Sequence, residues 1–164
     1  MLKRFMANPG LKIFLDTSAL IAGIASSKGS ARAVLQLAEM GLIDIVVSQQ
    51  IIIEADRNIE AKLPEMVNEF REYIQLLSPL LIEDPSPDEV RRYSSIINPE
   101  DAPILAAAVS SGANFLLTWD KKHFINRKIQ LSSELKIATP GEFLKYFREY
   151  IEEFGASQGT KNIE

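Results

Sequence analysis

Residues Phe115 to Phe124 read FLLTWDKKHF, an apolar run that enters a carboxylate at Asp120. Far upstream, Lys12 to Leu20 read KIFLDTSAL, and Lys12–Leu15 lead in the same way into Asp16. Short apolar runs bounded by polar residues predict buried strands. A strand tip is a costly place for a charge if stability alone is at stake, because partial burial opposes the ionised form. It is a common place for a charge that does chemistry.

Between and around these runs, strands alternate with helices. Strands are predicted at Lys12–Leu15, Leu42–Val47, Pro79–Glu83, Phe115–Thr118 and Leu135–Ala138. A first helix is predicted from Ser18, then a loop at SSKGS, then a helix over Ala31–Met40 capped by Ser30 and ended by Gly41. Ser48 is an N-cap for the helix carrying QQIIIEADRNIEAKL, and Pro64 opens one with Met66, Phe70, Tyr73, Ile74 and Leu77 near one face. A polar helix starts at Ser86-Pro87, and Asn98-Pro99 breaks the chain before a helix over Glu100–Ser111 that ends at Gly112. Pro140 starts the last helix, read to Phe154. The expected organisation is a tail over residues 1–10, one domain over 11–154, and a disordered tail, GASQGTKNIE, over 155–164.

This alternation predicts an α/β fold with a mainly parallel sheet. Right-handed crossovers put all strand C-termini on one edge. In a 3-2-1-4-5 order, strands one and four are neighbours at the switch point, where a crevice opens. Asp16 and Asp120 would then face one crevice.

Two further acids fit that edge. Asp101 lies in the first turn of the helix that feeds strand four, where capping and the helix dipole account for a carboxylate equally well. Glu54 follows three isoleucines, which predict a largely buried stretch in which an acid needs a partner; the competing reading is an exposed face carrying Glu54, Arg57 and Asn58. Converging carboxylates repel and raise one another's pKa, so such a cluster makes sense around hard divalent cations such as Mg²⁺ or Mn²⁺.

Composition narrows the chemistry. The chain has 164 residues, 46% hydrophobic and 24% charged, which suits a soluble globular domain. It has no cysteine and a single histidine, His123, which excludes thiolate chemistry, disulfides and multi-histidine zinc sites. No apolar run approaches the roughly 20 residues that cross a bilayer, and the start is a weak signal peptide, so a cytoplasmic protein without membrane contact is expected. The net charge of −4 opposes non-specific nucleic-acid binding unless cations gather at the acids.

The chain resembles the PIN-domain nucleases. The resemblance rests on FLDTSAL, Glu54, EDAPILAAAVSSGANFLLTWDKKHF and KIATPGEFLKYF, spanning about Lys12 to Phe147. The ordered combination of D-[TS]-x-x-L, D-A-x-x-L-A-A-A and G-A-x-x-L-x-T-x-D is specific, and the length and closing segment look most like toxin components of toxin–antitoxin systems. The resemblance implies a three-layer αβα fold with the 3-2-1-4-5 parallel sheet and a metal-dependent endoribonuclease using one or two Mg²⁺ or Mn²⁺ ions. It implies that Asp16, Glu54, Asp101 and Asp120 are the catalytic, metal-holding acids, supported by Thr17 and Thr118, with Glu100 an additional acid. Asp120 is followed by Lys121-Lys122-His123, without the further nearby acid of some relatives. Such proteins often dimerise and are held inactive by a protein antitoxin. From the residues themselves, Arg57, Lys121 and Lys122 are candidate phosphate contacts, although a lysine pair in a loop is more often solvated surface. Trp119 and His123 are candidate stacking surfaces for an RNA base; Trp119 reads equally as packed against the neighbouring helix, and His123 reads better as a local cap or hydrogen-bond partner than as a general base.

Rival readings are weaker. A haloacid-dehalogenase-like phosphatase wants a second Asp two residues after Asp16, where Ser18 stands, and neither a P-loop nor a G-x-G-x-x-G segment is present. The non-enzymatic rival is a PIN-like module that binds RNA or protein without cutting.

Overall fold

A computed structural model describes residues 10–124 and 134–161. Apart from Gly10, the N-terminal tail lies outside those residues. Five strands form one all-parallel sheet: β1 (Lys12–Leu15), β2 (Asp44–Ser48), β3 (Leu80–Ile82), β4 (Phe115–Leu117) and β5 (Lys136–Ala138). Their order is β3-β2-β1-β4-β5, as the alternation of strand and helix requires. The register pairs Phe14 with Val46 on one side and with Leu116 on the other, so β1 is the central strand. It is apolar because it is covered on both faces: Ile13, Phe14 and Leu15 are all buried.

Among the described residues, seven helices connect and flank the strands: α1 (Thr17–Ala25), α2 (Ser30–Glu39), α3 (Gln49–Lys62), α4 (Val67–Leu77), α5 (Pro87–Ser94), α6 (Ala102–Ser110) and α7 (Pro140–Lys161). Helices α1 to α4 pack on one another, α7 lies against α2, and α5 pairs with α6, which touches β2 and β4. The capping chemistry follows the sequence in part. Ser48 accepts from the Ile51 amide, and Ser86 with Glu89 forms a reciprocal capping box at α5. Ser30, expected as a cap, is instead the first residue of α2, with Gly29 before it at φ 108°, a conformation that favours glycine. Pro64 opens a short 3-10 turn, Pro64–Met66, ahead of α4, of whose predicted apolar face only Phe70 is fully buried. Helix α7 runs to Lys161, taking in residues 155–161 of the segment read as a disordered tail. No helix among the described residues is long and apolar enough to cross a membrane.

Edge strand β3 behaves differently from the centre. Leu80 and Leu81 are exposed, as is Leu76 at the end of α4. Three residues of edge strand limit the unpaired backbone offered to another chain.

Close approach of α1 and α2 depends on Gly23. A β-carbon there would meet Leu35 Cδ1 at 2.6 Å and the Ala31 carbonyl oxygen at 3.2 Å. Leu35 is fully buried and has no free space to yield into. Gly23→Ala is therefore expected to destabilise the protein by about 1–3 kcal/mol of overpacking, less the roughly 1 kcal/mol gained from helix propensity. Thermal denaturation measures it, and Gly23→Val should be worse than Gly23→Ala.

Candidate functional site: an acidic rim at the strand C-termini

The Asp16 amide donates to the Leu117 carbonyl at 3.1 Å, continuing the β1–β4 ladder one step past the strand ends. That bond fixes Asp16 and the Thr118–Asp120 segment side by side. Asp16 is the N-cap of α1: its Oδ1 accepts from the Ala19 amide and from the Ser18 hydroxyl, both at 2.8 Å. The residue is buried. Burial pushes its carboxyl above its ordinary pKa; hydrogen bonds from Thr118, Ala19 and Ser18 pull the other way, and the neighbouring charge of Asp120 adds to the rise.

Thr118 is fully buried and links two acids. It hydrogen-bonds Asp16, and its Oγ1 accepts from the Asp120 amide at 3.0 Å. Thr17, the first residue of α1, is also buried, and its Oγ1 has no hydrogen-bond partner among the described residues. Leaving a buried hydroxyl unpaired is costly, so Thr17 is a polar group whose burial the fold's own hydrogen bonds do not offset.

Asp101 immediately precedes α6, yet its side chain does not cap that helix. Its carboxylate turns instead to His123, whose Nδ1 lies 3.3 Å from Asp101 Oδ2, while His123 Nε2 lies 3.2 Å from Asp120 Oδ2. Asp101 is largely covered, and burial raises its pKa; His123 lowers it, and Asp120, Glu100 and Asp16 each raise it. Asp16, Asp101, Asp120 and Glu100 thus share one electrostatic neighbourhood. Helix capping explains the position of Asp101 in the chain and not the direction of its side chain.

Other expected site residues are placed differently. Glu54 is exposed, not buried. Three consecutive helical residues span about 200° of the helix circumference, so of the isoleucines only Ile51 is fully inside, and Ile53 is exposed. Glu54 lines a groove with Gln50, Ile53, Arg57 and Asp84, and it does not enter the contacts that join the aspartates. Lys121 is an ion-pair partner of Glu142, at 3.0 Å to both carboxylate oxygens, so it is engaged within the fold. Lys122 and Arg57 are exposed, and Trp119 is 50% exposed. The sequence reading of His123 as a locally bonded side chain agrees with its contact to Asp120 at i, i+3; its second contact, to Asp101, was not read from sequence.

In donor chemistry the rim fits a hard divalent cation: three carboxylates, two of them with raised pKa values, beside an orphaned buried hydroxyl. In spacing it is not yet closed. Among the described residues no three His, Asp or Glu side chains converge tightly enough to hold an ion, and His123 lies between Asp101 and Asp120.

The all-parallel sheet in 3-2-1-4-5 order with acids at the ends of neighbouring strands is that of a PIN-like α/β fold. A PIN domain family profile matches residues 12–122, and the chain belongs to that family. Its fold is similar to that of PAE2754 from Pyrobaculum aerophilum (21% identity, TM-score 0.56, covering 87% of this chain and 99% of that one). It is also similar to VapBC2 from Rickettsia felis bound to a DNA fragment from their promoter (18%, 0.55, 79% and 98%). DNA-bound VapBC from Salmonella typhimurium is comparably similar (20%, 0.56, 79% and 98%). No curated protein matches the chain.

The raised Asp16 pKa has a consequence for metal-free protein. A carboxyl that holds its proton more tightly folded than unfolded favours the fold at low pH, and that contribution is lost as pH rises through the raised folded value. Asn caps helices about as well as Asp. In a chelator, Asp16→Asn should therefore melt at or above the wild-type temperature at pH 7. The difference should shrink as pH falls toward 4.

Proposed function

We propose that this chain is a metal-dependent endoribonuclease of the PIN domain family, acting as the toxin of a toxin–antitoxin pair. The observation that supports the reading is the electrostatic neighbourhood shared by Asp16, Asp101 and Asp120 beside the β1–β4 strand ends, with buried Thr118 joining two of them. Family membership supports a nuclease, and the structural neighbours in VapBC assemblies support a protein antitoxin as partner. A homodimer is part of the proposal, as is an RNA substrate.

In this reading Asp16, Asp101 and Asp120 would hold one or two Mg²⁺ or Mn²⁺ ions, with exposed Glu54 of α3 as a proposed fourth acid. Such an ion, when bound, activates water and offsets charge on the phosphoryl oxygens. The chain's own residues do the rest. Burial and the Ala19 and Ser18 bonds fix Asp16 in one orientation. Thr118 positions Asp16 and the Asp120 backbone together. Asp120, the more exposed acid, lies on the substrate side, Glu100 adds negative charge behind Asp101, and Thr17 offers a free hydroxyl beside Asp16. Exposed Lys122 and Arg57 are the candidate phosphate contacts.

The rival, a PIN-like module that binds without cutting, is favoured by the His123 bridge and by the absence of a closed three-ligand set among the described residues. One experiment separates the two. Mn²⁺ should raise the melting temperature of the wild type and do so less in Asp120→Ala. Asp16→Asn and Asp101→Asn should each cut RNA more than about a hundredfold more slowly, since loss of even supporting residues around a metal costs 10–100-fold. Undiminished cleavage by purified Asp16→Asn protein rejects the nuclease reading; no Mn²⁺ effect on either protein supports the binding module.

A further inference from the structure

Trp119 is the only tryptophan in the chain. It stands between buried Thr118 and Asp120, and half of it faces solvent. Among the described residues its ring stacks on no other aromatic ring, although Phe115, Phe143, Tyr146, Phe147, Tyr150 and Phe154 form a continuous series of ring contacts nearby in sequence or along α7. The fold therefore has aromatic packing to offer and leaves this indole out of it. An exposed indole forfeits one of the largest apolar burials available to any side chain.

The charge around it sharpens the point. The rim carries three aspartates and Glu100, and of the two lysines after Asp120, Lys121 is engaged by Glu142. Phosphate attraction at this edge is thus weak, and a nucleic-acid strand needs a contact that does not depend on charge. Base stacking on an aromatic face supplies one, contributing about 1–3 kcal/mol per base, and requires an unpaired base.

We infer that Trp119 is a stacking platform for an unpaired RNA base flanking the phosphodiester held at the rim, and that it confers a preference for single-stranded over duplex RNA. This rests on the RNA reading of the site. Trp119 is one residue, about 3.8 Å of chain, from Asp120. An indole offers its face to a base and no charge to a phosphate, so it meets a base beside the bond at the rim and not the phosphate itself. Its role is specificity and positioning of the strand.

The test uses the sole indole as its own probe. The full chain is titrated in Ca²⁺, a cation that suits carboxylate ligands, with a short single-stranded RNA, with the same strand annealed to its complement, and with an abasic strand of equal length; tryptophan fluorescence and the anisotropy of end-labelled RNA are read together. The expected result is quenching by single-stranded RNA alone, about tenfold weaker binding by Trp119→Ala, and near-normal binding by Trp119→Phe. Melting of Trp119→Ala should match the wild type. Unchanged fluorescence while anisotropy reports binding overturns the inference, as does equal affinity of Trp119→Ala, or no binding of single-stranded RNA. Cleavage assays keep the two readings apart. RNA cutting with an unaltered KM in Trp119→Ala sinks the platform and leaves the nuclease. Quenching by a wild type that never cuts leaves the platform and sinks the nuclease.

Discussion

The molecule is organised by the pairing of β1 with β4, two strands from opposite halves of the chain. Ile13, Phe14 and Leu15 lie against Phe115, Leu116 and Leu117, and the ladder continues through the Asp16 amide to the Leu117 carbonyl. Every residue in these segments is buried on both faces of the sheet, so the register cannot slip without driving large apolar side chains out of place. Because the crossovers reverse direction at this pair, a crevice is expected beyond the strand ends. The same apolar pairing that stabilises the centre of the fold therefore fixes two carboxylates at that rim.

The acids at that rim oppose the fold's stability. Asp16 and Asp101 both pay desolvation, and each feels the other's charge or that of Asp120. What keeps them in place is local: an N-cap geometry for Asp16, the Thr118 hydroxyl shared between Asp16 and the Asp120 backbone, and His123 between Asp101 and Asp120. Sites where conflicting demands persist inside an otherwise consistent fold are characteristically functional ones.

The sheet order, the strand positions and the placing of Asp16 and Asp120 just past neighbouring strand ends were legible in the sequence because they follow from hydrophobic runs and strand-end placement, which are local signals with one physical meaning. The remainder turned on side-chain direction. A residue before a helix is placed by sequence, but whether it caps the helix or faces away depends on a neighbour, His123, contributed by another segment. Glu54 was misread because three apolar neighbours in a helix do not share a face, so Ile51 is inside while Ile53 and Glu54 are out. Lys121 looked free because its partner, Glu142, arrives only when α7 folds back against the rim. The C-terminal helix extended beyond Phe154 for a related reason: glycine-rich composition lowers helix propensity without forbidding the helix.

Glu142 joins two parts of the molecule that have no covalent reason to communicate. Its carboxylate accepts from the Thr139 amide while the Thr139 hydroxyl accepts from the Glu142 amide, closing the first turn of α7, and the same carboxylate grips Lys121. The first turn of α7 is in this way tied at the surface to the segment after Asp120, while Phe143 and Phe147 seat the same helix in the core. An exposed pair of this kind contributes only about 0–1 kcal/mol. An oxyanion that competes for Lys121 therefore meets little resistance, and α7 keeps its seat when the lysine is drawn away.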